Sequence, residues 1–521
     1  MSSSRRLGET PRSLTLWAPL APTLTLAMLS LTPRAQANPI LTGSILFAAA
    51  SLLLWHGALL LHLRRSGAGR TLHAGFRPQH YIQAMIQVAV LSYWGWYWRP
   101  VYDMALLIGA QLAFAYGFAM LLAWSRRERY VLGFGPFPII LSINLFLWFK
   151  DDWFYLQFLM IAVGFLGKEF VRWHRDERRV HVFNPSAFSL GLFSLVLIAT
   201  GTTDLTWGAQ IATTLTLAPR IYLFLFLVGL VAMYFFSITL VSGIAAAVLF
   251  GLSALYSVWS GVPYFLDSEI PAAVFLGLLL LITDPSTSPR TPTGKAVFGG
   301  LYGAGVFGLY SILGAAGAPT FYDKLLCVPL LNLSVRGIDH LTVAWPRRGG
   351  LPNPIGSGDA GRRNLIYMCM WAAFFTLMSL TGRTDGRHTG DSVPFWQDAC
   401  GQRLRNACDR LLQIEASYCS DNSAWACNEM GAHYTEGVTV EANRDLALSY
   451  FSRACELRFQ AACVNLLEPG LTTRAPPRPL DLRLLLREGG LNLMQVSEPE
   501  LYGRACVHGW RFACDAVTGS P

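Results

Sequence analysis

Long apolar segments separated by short polar loops dominate the first three-quarters of the chain. A helix that crosses a membrane needs about 20 apolar residues, because each residue adds about 1.5 Å and the hydrocarbon layer is about 30 Å thick. The segments that are long enough, or nearly so, cover residues 41–63, 81–98, 102–124, 131–149, 153–167, 186–200, 220–236, 238–259, 264–283, 295–313, 321–335 and 364–382. This pattern predicts an all-α fold, with a polytopic membrane helix bundle of about 12 spans in residues 40–383.

The first 38 residues have the features of an export signal. A basic start is followed by an apolar run and by Ala35-Gln36-Ala37, which resembles a signal-peptidase site. Arg34 lies inside the expected cleavage region and departs from that pattern. The sequence therefore leaves two alternatives open for residues 1–38, a cleaved signal peptide and an uncleaved signal anchor.

The composition supports a membrane location and argues against nucleic acid as a partner. Hydrophobic residues make up 53% of the chain and charged residues 14%, which is far from the usage of soluble proteins. The formal net charge of +9 would suit a nucleic-acid binder, but the basic residues lie in short loops between apolar segments. The 16 Trp, 19 Tyr and 31 Phe fit interfacial aromatic belts and a tightly packed bundle. Membrane lipid is therefore the expected surrounding of this part of the chain.

Lys and Arg are distributed unequally between alternate loops. One set of loops holds nineteen of them and the intervening set holds four. Because short cytoplasmic loops carry the excess of Lys and Arg, the richer set is predicted to lie inside. This orientation places the segment near Thr213, and everything after residue 383, on the periplasmic side of a bacterial inner membrane.

Eight of the ten cysteines fall after residue 399, in four pairs whose members are eight residues apart. In one continuous helix that separation is about 12 Å, whereas the Cα atoms of a disulfide lie within about 7 Å, so each bridge requires a turn between two helices. The predicted bridges are Cys400–Cys408, Cys419–Cys427, Cys455–Cys463 and Cys506–Cys514. Metal binding by thiolates is the alternative, although the spacing lacks the C-x2-C geometry of zinc sites. Disulfides require an oxidising compartment, which agrees with the periplasmic placement.

The segment ACNEMGAHYTEGVTVEANRDLALSYFSRACELRFQAAC resembles the cysteine-rich form of the Sel1-like repeat. Two of the cysteine pairs recur after 36 residues, a period that suits a two-helix solenoid unit. The resemblance implies a tetratricopeptide-like helix pair that binds other proteins. We therefore expect residues 395–518 to form a periplasmic α-hairpin repeat domain that docks a periplasmic protein.

Three polar motifs interrupt the apolar segments: LGKEF around Lys168, HVFNPSAF at 181–188 and ITDPSTSPRTPTGK at 282–295. Asn184-Pro185 and Asp284-Pro285 break helices, because proline lacks the N–H group that continues the helical hydrogen bonds. A broken helix at membrane depth is tolerated only where protein or a ligand satisfies the freed backbone groups. The motifs therefore indicate either a ligand site or ordinary capping at helix ends.

The order of these motifs, LGKEF, then VFNPSAFSL, then ITDPSTSPRTPTGKAVFGGLYG, then Asn332 and Asp339, is similar to that of the NqrB/RnfD family. The family comprises membrane subunits of the sodium-pumping NADH:quinone oxidoreductase and of the Rnf complex (the RnfABCDGE-type electron transport complex), together with UnbU-like relatives. The resemblance covers about residues 80–345. It implies a ten-helix core that carries flavin and passes electrons across the membrane in partnership with other subunits.

In this family a threonine on the outer side carries FMN as a phosphate ester, in a motif of the form Asp-Gly-x-Ser/Thr-Gly-Ala-Thr. The matching stretch WGAQIATTL places Thr213 at the modified position, with Gly208 and Ala212 in agreement. The aspartate, the hydroxyl residue and the second glycine of the motif are replaced by Trp207, Gln210 and Ile211. Two interpretations of this stretch stay open, covalent FMN on Thr213 and a plain interfacial helix start.

Flavin, as FMN or riboflavin, can also bind without an ester. An isoalloxazine ring needs a flat apolar slot, hydrogen-bond partners at its pyrimidine edge, and a cation or backbone amides for a phosphate. The motif residues expected to supply these groups on the cytoplasmic side are Lys168, Asn184, Ser186, Thr283, Asp284, Ser286, Thr287 and Arg290. The alternative is that these residues bond to one another across two broken helices.

The sequence gives two hypotheses for function. In the first, the chain is an integral-membrane electron-transfer subunit of an Rnf/Nqr-like complex, which binds flavin and docks an outer partner through its repeat domain. It would then be at most one subunit of a membrane oxidoreductase. In the second, it is a non-redox scaffold or a transporter of small molecules or ions that kept the fold after the flavinylation motif changed. The altered motif favours the second hypothesis, and the intact FNP and DPST loops favour the first.

Overall fold

The chain is predominantly helical in a computed structural model that describes residues 15–175, 178–266, 268–344, 360–385, 388–420 and 423–457, together with single positions between 462 and 518. The first ten helices of this part of the chain are α1 (Leu20–Leu29), α2 (Pro33–Gln36), α3 (Pro39–Ser66), α4 (Pro78–Tyr97), α5 (Pro100–Asp103), α6 (Ala105–Arg126), α7 (Pro136–Asn144), α8 (Tyr155–Phe170), α9 (Pro185–Thr200) and α10 (Gly208–Thr214). They are followed by α11 (Ile221–Phe236), α12 (Thr239–Ser260), α13 (Ala272–Leu280), α14 (Pro292–Ala315), α15 (Asp323–Ala344), α16 (Ala360–Leu380), α17 (Val393–Gly401), α18 (Ala407–Ser420), α19 (Ala424–Glu436) and α20 (Arg444–Glu456).

Five helical segments of the described residues are long and apolar enough to cross a membrane. They are Pro39–Ser66, Pro100–Arg126, Thr239–Ser260, Pro292–Ala315 and Gly361–Leu380. A bent pair of helices, Gly208–Leu217 and Ile221–Phe236, would make a sixth span if it is counted as one. The prediction of a helical membrane protein is therefore confirmed at this level, whereas the finer prediction of about 12 spans is not.

Part of the difference in span number comes from helices that stop early. Each of the twelve predicted segments contains a helix, but α7 and α13 have only nine residues each. At 1.5 Å per residue, nine residues cover about 14 Å, less than half of a bilayer core. Hydropathy alone does not reveal these breaks, because the chain on either side of them is also apolar.

Contacts divide the chain into two units, of which the first comprises residues 1–212, 223–248 and 273–374. Its helices approach closely where small residues face a neighbouring backbone. A Cβ atom at Gly164 on α8 would lie 2.9 Å from the carbonyl oxygen of Pro185, and one at Gly299 on α14 would overlap the carbonyl oxygen of Val241 on α12. Close approach through small residues is a common way for helices to pack within a membrane.

Two short β-ladders occur in loops of the first unit. Strand β1 (Thr71–Ala74) pairs in parallel with β2 (Arg129–Leu132), and β3 (Arg172–Arg175) pairs antiparallel with β4 (Arg178–His181). The all-α prediction omitted these ladders. Each strand has only four residues and is rich in charged or exposed side chains, so it lacks the apolar alternation that identifies a strand in sequence.

The segment that resembles an export signal forms helices α1 and α2, which pack in the first unit. Thr23, Leu26 and Ala35 are buried, and α1 contacts α3 and α6. Arg34 donates two hydrogen bonds, of 2.7 and 2.8 Å, to the carboxylate oxygens of Asp151. The basic residue that departs from the cleavage pattern is thus paired with a carboxylate more than a hundred positions along the chain.

The second unit comprises residues 213–222, 249–272 and 375–521 and contains helices α17 to α20. Disulfides join Cys400 to Cys408 and Cys419 to Cys427, each with a Cα–Cα distance of 4.6 Å across the turn between two helices. These two bridges confirm the predicted hairpin geometry. Cys455 is also disulfide-bonded. Its predicted partner and both cysteines of the fourth pair, namely Cys463, Cys506 and Cys514, lie outside the described residues.

A hydrophobic cluster joins helices α17 to α20, which we call the tail. Its large members include Trp396, Trp425 and Phe451, which are almost completely buried. Gly431 on α19 packs against the ring of Phe451 on α20, at a place where a Cβ atom would come within 2.6 Å of that ring. A residue larger than glycine at position 431 would force these two helices apart.

Candidate functional site

The loop that precedes α9 is fixed by the side chain of Asn184. Its Oδ1 atom accepts hydrogen bonds from the backbone N–H of Ser186 at 3.1 Å and from the hydroxyl of Ser186 at 2.8 Å, so that it caps the helix. Its Nδ2 atom donates to the carbonyl oxygen of Leu281 at 3.2 Å. Asn184 therefore ties the FNPS motif to the chain that leaves α13.

Asn332 on α15 links the two motif loops a second time. The backbone N–H of Asn184 donates to Asn332 Oδ1 at 3.1 Å, and Asn332 Nδ2 donates to the carbonyl oxygen of Thr287 at 3.4 Å. Asn332 is buried, so these bonds satisfy polar groups that would otherwise be costly in the interior. The order of motifs in the sequence includes Asn332 but gives it no role.

Asp284 organises the second loop. Its Oδ1 atom accepts from the backbone N–H of Ser286 at 3.0 Å and from the Ser286 hydroxyl at 2.7 Å, while its Oδ2 atom lies 3.7 Å from His181 Nε2. Burial acts to raise the pKa of Asp284, but the hydrogen bonds and charge of His181 and the hydrogen bonds of Ser286 outweigh it and lower that pKa to about 2. The carboxylate is therefore ionised at neutral pH. The Ser286 hydroxyl also lies 2.9 Å from His181 Nε2.

The remainder of the second loop is anchored to α14 and α15. Thr291 caps α14 by accepting a hydrogen bond from the N–H of Gly294 at 2.9 Å. The backbone N–H of Arg290 donates to Asp339 Oδ1 on α15 at 2.9 Å. The ammonium group of Lys295 donates to the carbonyl oxygen of Ser237 at 2.7 Å. Positive charge is thus held near this loop, and no carboxylate of the described residues binds the ammonium group of Lys295.

A cavity of about 350 Å³ lies beside the second loop. It is lined by Val180, Ile238, Pro285, Ser286, Ser288, Pro289, Arg290 and Lys295. We call it the loop cavity. Its walls combine aliphatic and proline surface with two hydroxyl groups and two cationic side chains, a mixture that suits a planar, partly apolar ligand with a polar edge.

The structure separates the predicted cytoplasmic site residues into three groups. Ser286 and Arg290 line the loop cavity, and Asp284 bonds to Ser286 at its edge. The buried side chains that hold the loops or helix ends together are Asn184, Ser186, Thr283 and Thr287. Lys168 lines a different cavity, next to the β1–β2 ladder. Much of the predicted polar cluster therefore satisfies itself, as the alternative interpretation of the motifs proposed.

The predicted outer flavin position lies on the short helix α10. Gly208 packs against the ring of Phe321 so closely that a Cβ atom would overlap the ring. Packing alone therefore explains why this position is a glycine. Ala212 is partly buried, and Thr213 is exposed. The carbonyl oxygen of Thr213 accepts a hydrogen bond from the Thr216 hydroxyl at 2.9 Å. The exposure of Thr213 leaves its side chain accessible to modification.

A buried cluster of amide side chains was not predicted from the sequence. Gln87 donates to the Ser142 hydroxyl at 2.7 Å, and Asn144 donates to Gln111 Oε1 at 2.7 Å, where Gln157 also donates at 3.2 Å. All five residues are almost completely buried around the last turn of α7. The available signal was the presence of amide side chains inside otherwise apolar segments.

Comparison with known proteins finds no match to a family model, to a curated protein or to a solved structure.

Proposed function

We propose that the chain is an integral-membrane electron-transfer subunit of an Rnf/Nqr-like complex and that it binds a flavin, FMN or riboflavin, in the loop cavity. The observation that carries the proposal is the position of this cavity, beside the second motif loop that Asn332 ties to the first. The motif order that resembles the NqrB/RnfD family is the second support. Five long apolar helical segments agree with a membrane-embedded subunit.

The lining of the loop cavity fits the chemistry of a flavin. Ile238, Pro285 and Pro289 offer apolar surface for the ring system. The hydroxyls of Ser286 and Ser288, which donate to Asp284, can accept hydrogen bonds from the pyrimidine edge of the flavin. Lys295, with Arg290 beside it, can neutralise a phosphate if the ligand is FMN. A volume of about 350 Å³ is at the lower end of the range for small-molecule pockets, as expected for a ring that is partly exposed.

The protein side chains position the group and adjust its charge balance, and the bound flavin supplies the ability to take up and release electrons. Asp284 stays ionised at neutral pH because its pKa is lowered to about 2, so a fixed negative charge lies at the edge of the cavity. The bonds from Asn184 and Asn332 hold the loop that carries it. The residues therefore act through electrostatics and position rather than through bond making.

Attachment of FMN to Thr213 is a second element of the proposal, for the outer side. The exposure of Thr213 supports it, and the altered residues around the motif oppose it. The tail, with its disulfide-linked helical hairpins, is proposed to be a periplasmic domain that docks an outer protein partner. Both elements belong to the same proposal, in which a membrane subunit passes electrons to or from a periplasmic partner.

The test is the absorption and in-gel fluorescence of the detergent-purified protein before and after acid precipitation. Flavin released by acid supports the loop cavity, and flavin that remains in the precipitate supports the ester. Lys295→Gln should lower the amount of co-purified FMN but not of riboflavin, and Thr213→Ala should remove only the acid-stable fraction. Arg64→Gln, at the exposed end of α3, is the matched loss of charge and should change neither. Protein that is correctly folded and contains no flavin would overturn the proposal.

A non-redox scaffold or transporter is the second candidate function. It is favoured by the mutual hydrogen bonding of the motif residues, which needs no cofactor, and by the buried amide cluster around α7. Amide side chains inside a bundle are typical of pathways for polar solutes or ions. Reconstituted vesicles distinguish the two candidates, because a transporter moves solute without flavin, whereas an electron-transfer subunit changes the redox state of a bound flavin.

A further inference from the structure

A second cavity, of about 310 Å³, lies at the β1–β2 ladder and belongs to no part of the proposed flavin site. It is lined by Gly75, Arg77, His80, Ala119, Leu122, Ala123, Arg127, Arg129, Tyr130, Val131, Gly133, Gly135, Pro136, Phe165, Lys168, Glu169 and Arg172. We call it the ladder cavity. Five of these side chains are Arg or Lys, and one is Glu.

Three of the basic side chains have no directly bonded partner. Within the described part of the chain, the side chains of Arg77, Arg129 and Lys168 make no hydrogen bond and no ion pair. The imidazole of His80 also has no hydrogen-bond partner among these residues. Burial lowers the pKa of Lys168, and the charge of Asp284, which lies outside the lining and does not contact Lys168, acts in the opposite direction. Cations brought together with so little counter-charge repel one another, so the arrangement costs free energy unless an anion binds.

The single carboxylate of the lining is already shared. Glu169 accepts from Arg127 and lies 2.7 Å from Arg172 and 3.4 Å from Arg126. Three guanidinium groups therefore share the single negative charge of Glu169. Glu169 cannot also neutralise the guanidinium groups of Arg77 and Arg129, and the ladder cavity keeps an excess of positive charge.

The positive charge of the cavity comes from side chains and not from the backbone. Helix α7 begins at Pro136 on the rim, but Pro136 and Pro138 have no N–H group, and the N–H of Phe137 donates to the carbonyl oxygen of Phe134. The floor is apolar, formed by Ala119, Leu122 and Phe165. The wall is held in place by the ladder, where the N–H of Gly75 donates to the carbonyl oxygen of Leu132 at 2.8 Å. The cavity thus presents cations at its rim above an apolar floor.

We propose that the ladder cavity binds a phosphate group. Guanidinium groups are donors that proteins commonly use to bind phosphate, because their paired N–H groups match the phosphate oxygens. The phosphate can belong to the headgroup of an anionic lipid, whose chains would meet the apolar floor, or to a free phosphorylated small molecule. The proposal does not depend on flavin binding, because the ladder cavity and the loop cavity share no residue.

The experiment measures the thermal unfolding of the detergent-purified full chain during titration with phosphatidylglycerol in mixed micelles, with phosphatidylcholine as the neutral reference, and separately with glycerol 3-phosphate. We expect saturable stabilisation by at least one phosphate-bearing probe. The double variant Arg77→Gln/Arg129→Gln should weaken the apparent affinity at least about tenfold, since two charged contacts are lost. Both residues are exposed, so the variant is expected to fold.

The matched control is Arg64→Gln/Arg65→Gln, which removes two exposed charges at the end of α3, outside the lining. It should respond as the parent does. Stabilisation by phosphatidylglycerol alone assigns the site to lipid, and stabilisation by glycerol 3-phosphate assigns it to a soluble ligand. No specific stabilisation by either probe, or equal stabilisation of the parent and the Arg77→Gln/Arg129→Gln variant, would overturn the proposal. The flavin content of the same preparations reports independently on the loop cavity.

Discussion

Replacing Glu429 by Gln should remove a large part of the pH dependence of stability in the tail. Glu429 lies on α19 and is 1% exposed. Burial raises its pKa from 4.5 to about 7, an effect that the ion pair with Arg474 opposes and the nearby carboxylate of Glu415 reinforces. A buried carboxyl group that prefers its protonated form makes the folded tail less stable whenever the solution pH favours the ionised form.

The sign and the magnitude follow from proton linkage. Below about pH 4.5 the Glu429 carboxyl is protonated in both the folded and the unfolded tail, and its contribution to stability is fully present. As the pH rises from 4.5 through about 7, the unfolded tail loses the proton first, and the contribution is lost. The difference between these two pKa values corresponds to about 3 kcal/mol of unfolding free energy, at about 1.36 kcal/mol per unit.

Hydrogen–deuterium exchange of the full chain in detergent can measure this loss in α19 itself. After correction for the intrinsic pH dependence of exchange, the protection of peptides from residues 424–436 should fall about a hundredfold between about pH 4.5 and 8 in the parent. It should fall much less in Glu429→Gln. Glu436→Gln is the matched control, because Glu436 also pairs with Arg474 but is partly exposed. An equal fall in Glu429→Gln and in the parent would refute the reasoning.

Three further predictions concern other parts of the chain. Cys427→Ser should lower the free energy of unfolding of the α18–α19 hairpin by about 2.5 kcal/mol, which is the chain-entropy value for a disulfide that closes a loop of eight residues. Hydrogen–deuterium exchange of that hairpin should then become faster, and an unchanged exchange rate would contradict the prediction. Asp284→Asn should lower the unfolding free energy at pH 7 by about 2 kcal/mol, because His181 and Ser286 lower the pKa of Asp284 to about 2, and the loss should shrink as pH falls from 3.8 through 2; a loss that persists at low pH in thermal unfolding would count against this. Gly299→Ala should cost about 1–3 kcal/mol by overlap with a neighbouring backbone, whereas Gly308→Ala, in open space on the same helix, should cost little; equal melting temperatures would disprove the packing argument.

The features that the sequence predicted correctly depend on local patterns. Each of the twelve apolar segments contains a helix, and the eight-residue spacing of Cys419 and Cys427 required the turn that is found between α18 and α19. Both predictions use only residues that are close along the chain. The charge of a loop and the hydropathy of a segment also depend only on neighbouring residues. The sequence therefore also predicted that the chain is a membrane protein.

The features that were missed depend on residues far apart in sequence. The hydrogen bond between Asn184 and Asn332 joins positions 148 residues apart, and the hydrophobic periodicity of neither helix predicts it. Lys168 lines the ladder cavity, which its place in the motif order does not reveal, although the charge of Asp284 in the second motif loop acts on it. The early ends of α7 and α13 were hidden because the polar groups at such ends are satisfied by side chains from other helices. Flavin binding stays a prediction.

The nine-residue helix α7 has a consequence for how the protein is made. About 14 Å of helix cannot cross the bilayer by itself, and its last turn bears Ser142 and Asn144, whose hydrogen-bond partners Gln87 and Gln111 lie on α4 and α6. During synthesis this segment therefore has no stable place in lipid until those two helices are inserted beside it. We expect insertion of α7 to be cooperative and errors in biogenesis to begin there. Replacing Gln111 by Leu would remove both hydrogen bonds between Gln111 and Asn144, leave Asn144 its bond to the carbonyl oxygen of Ile140, and slow assembly before it affected any chemistry.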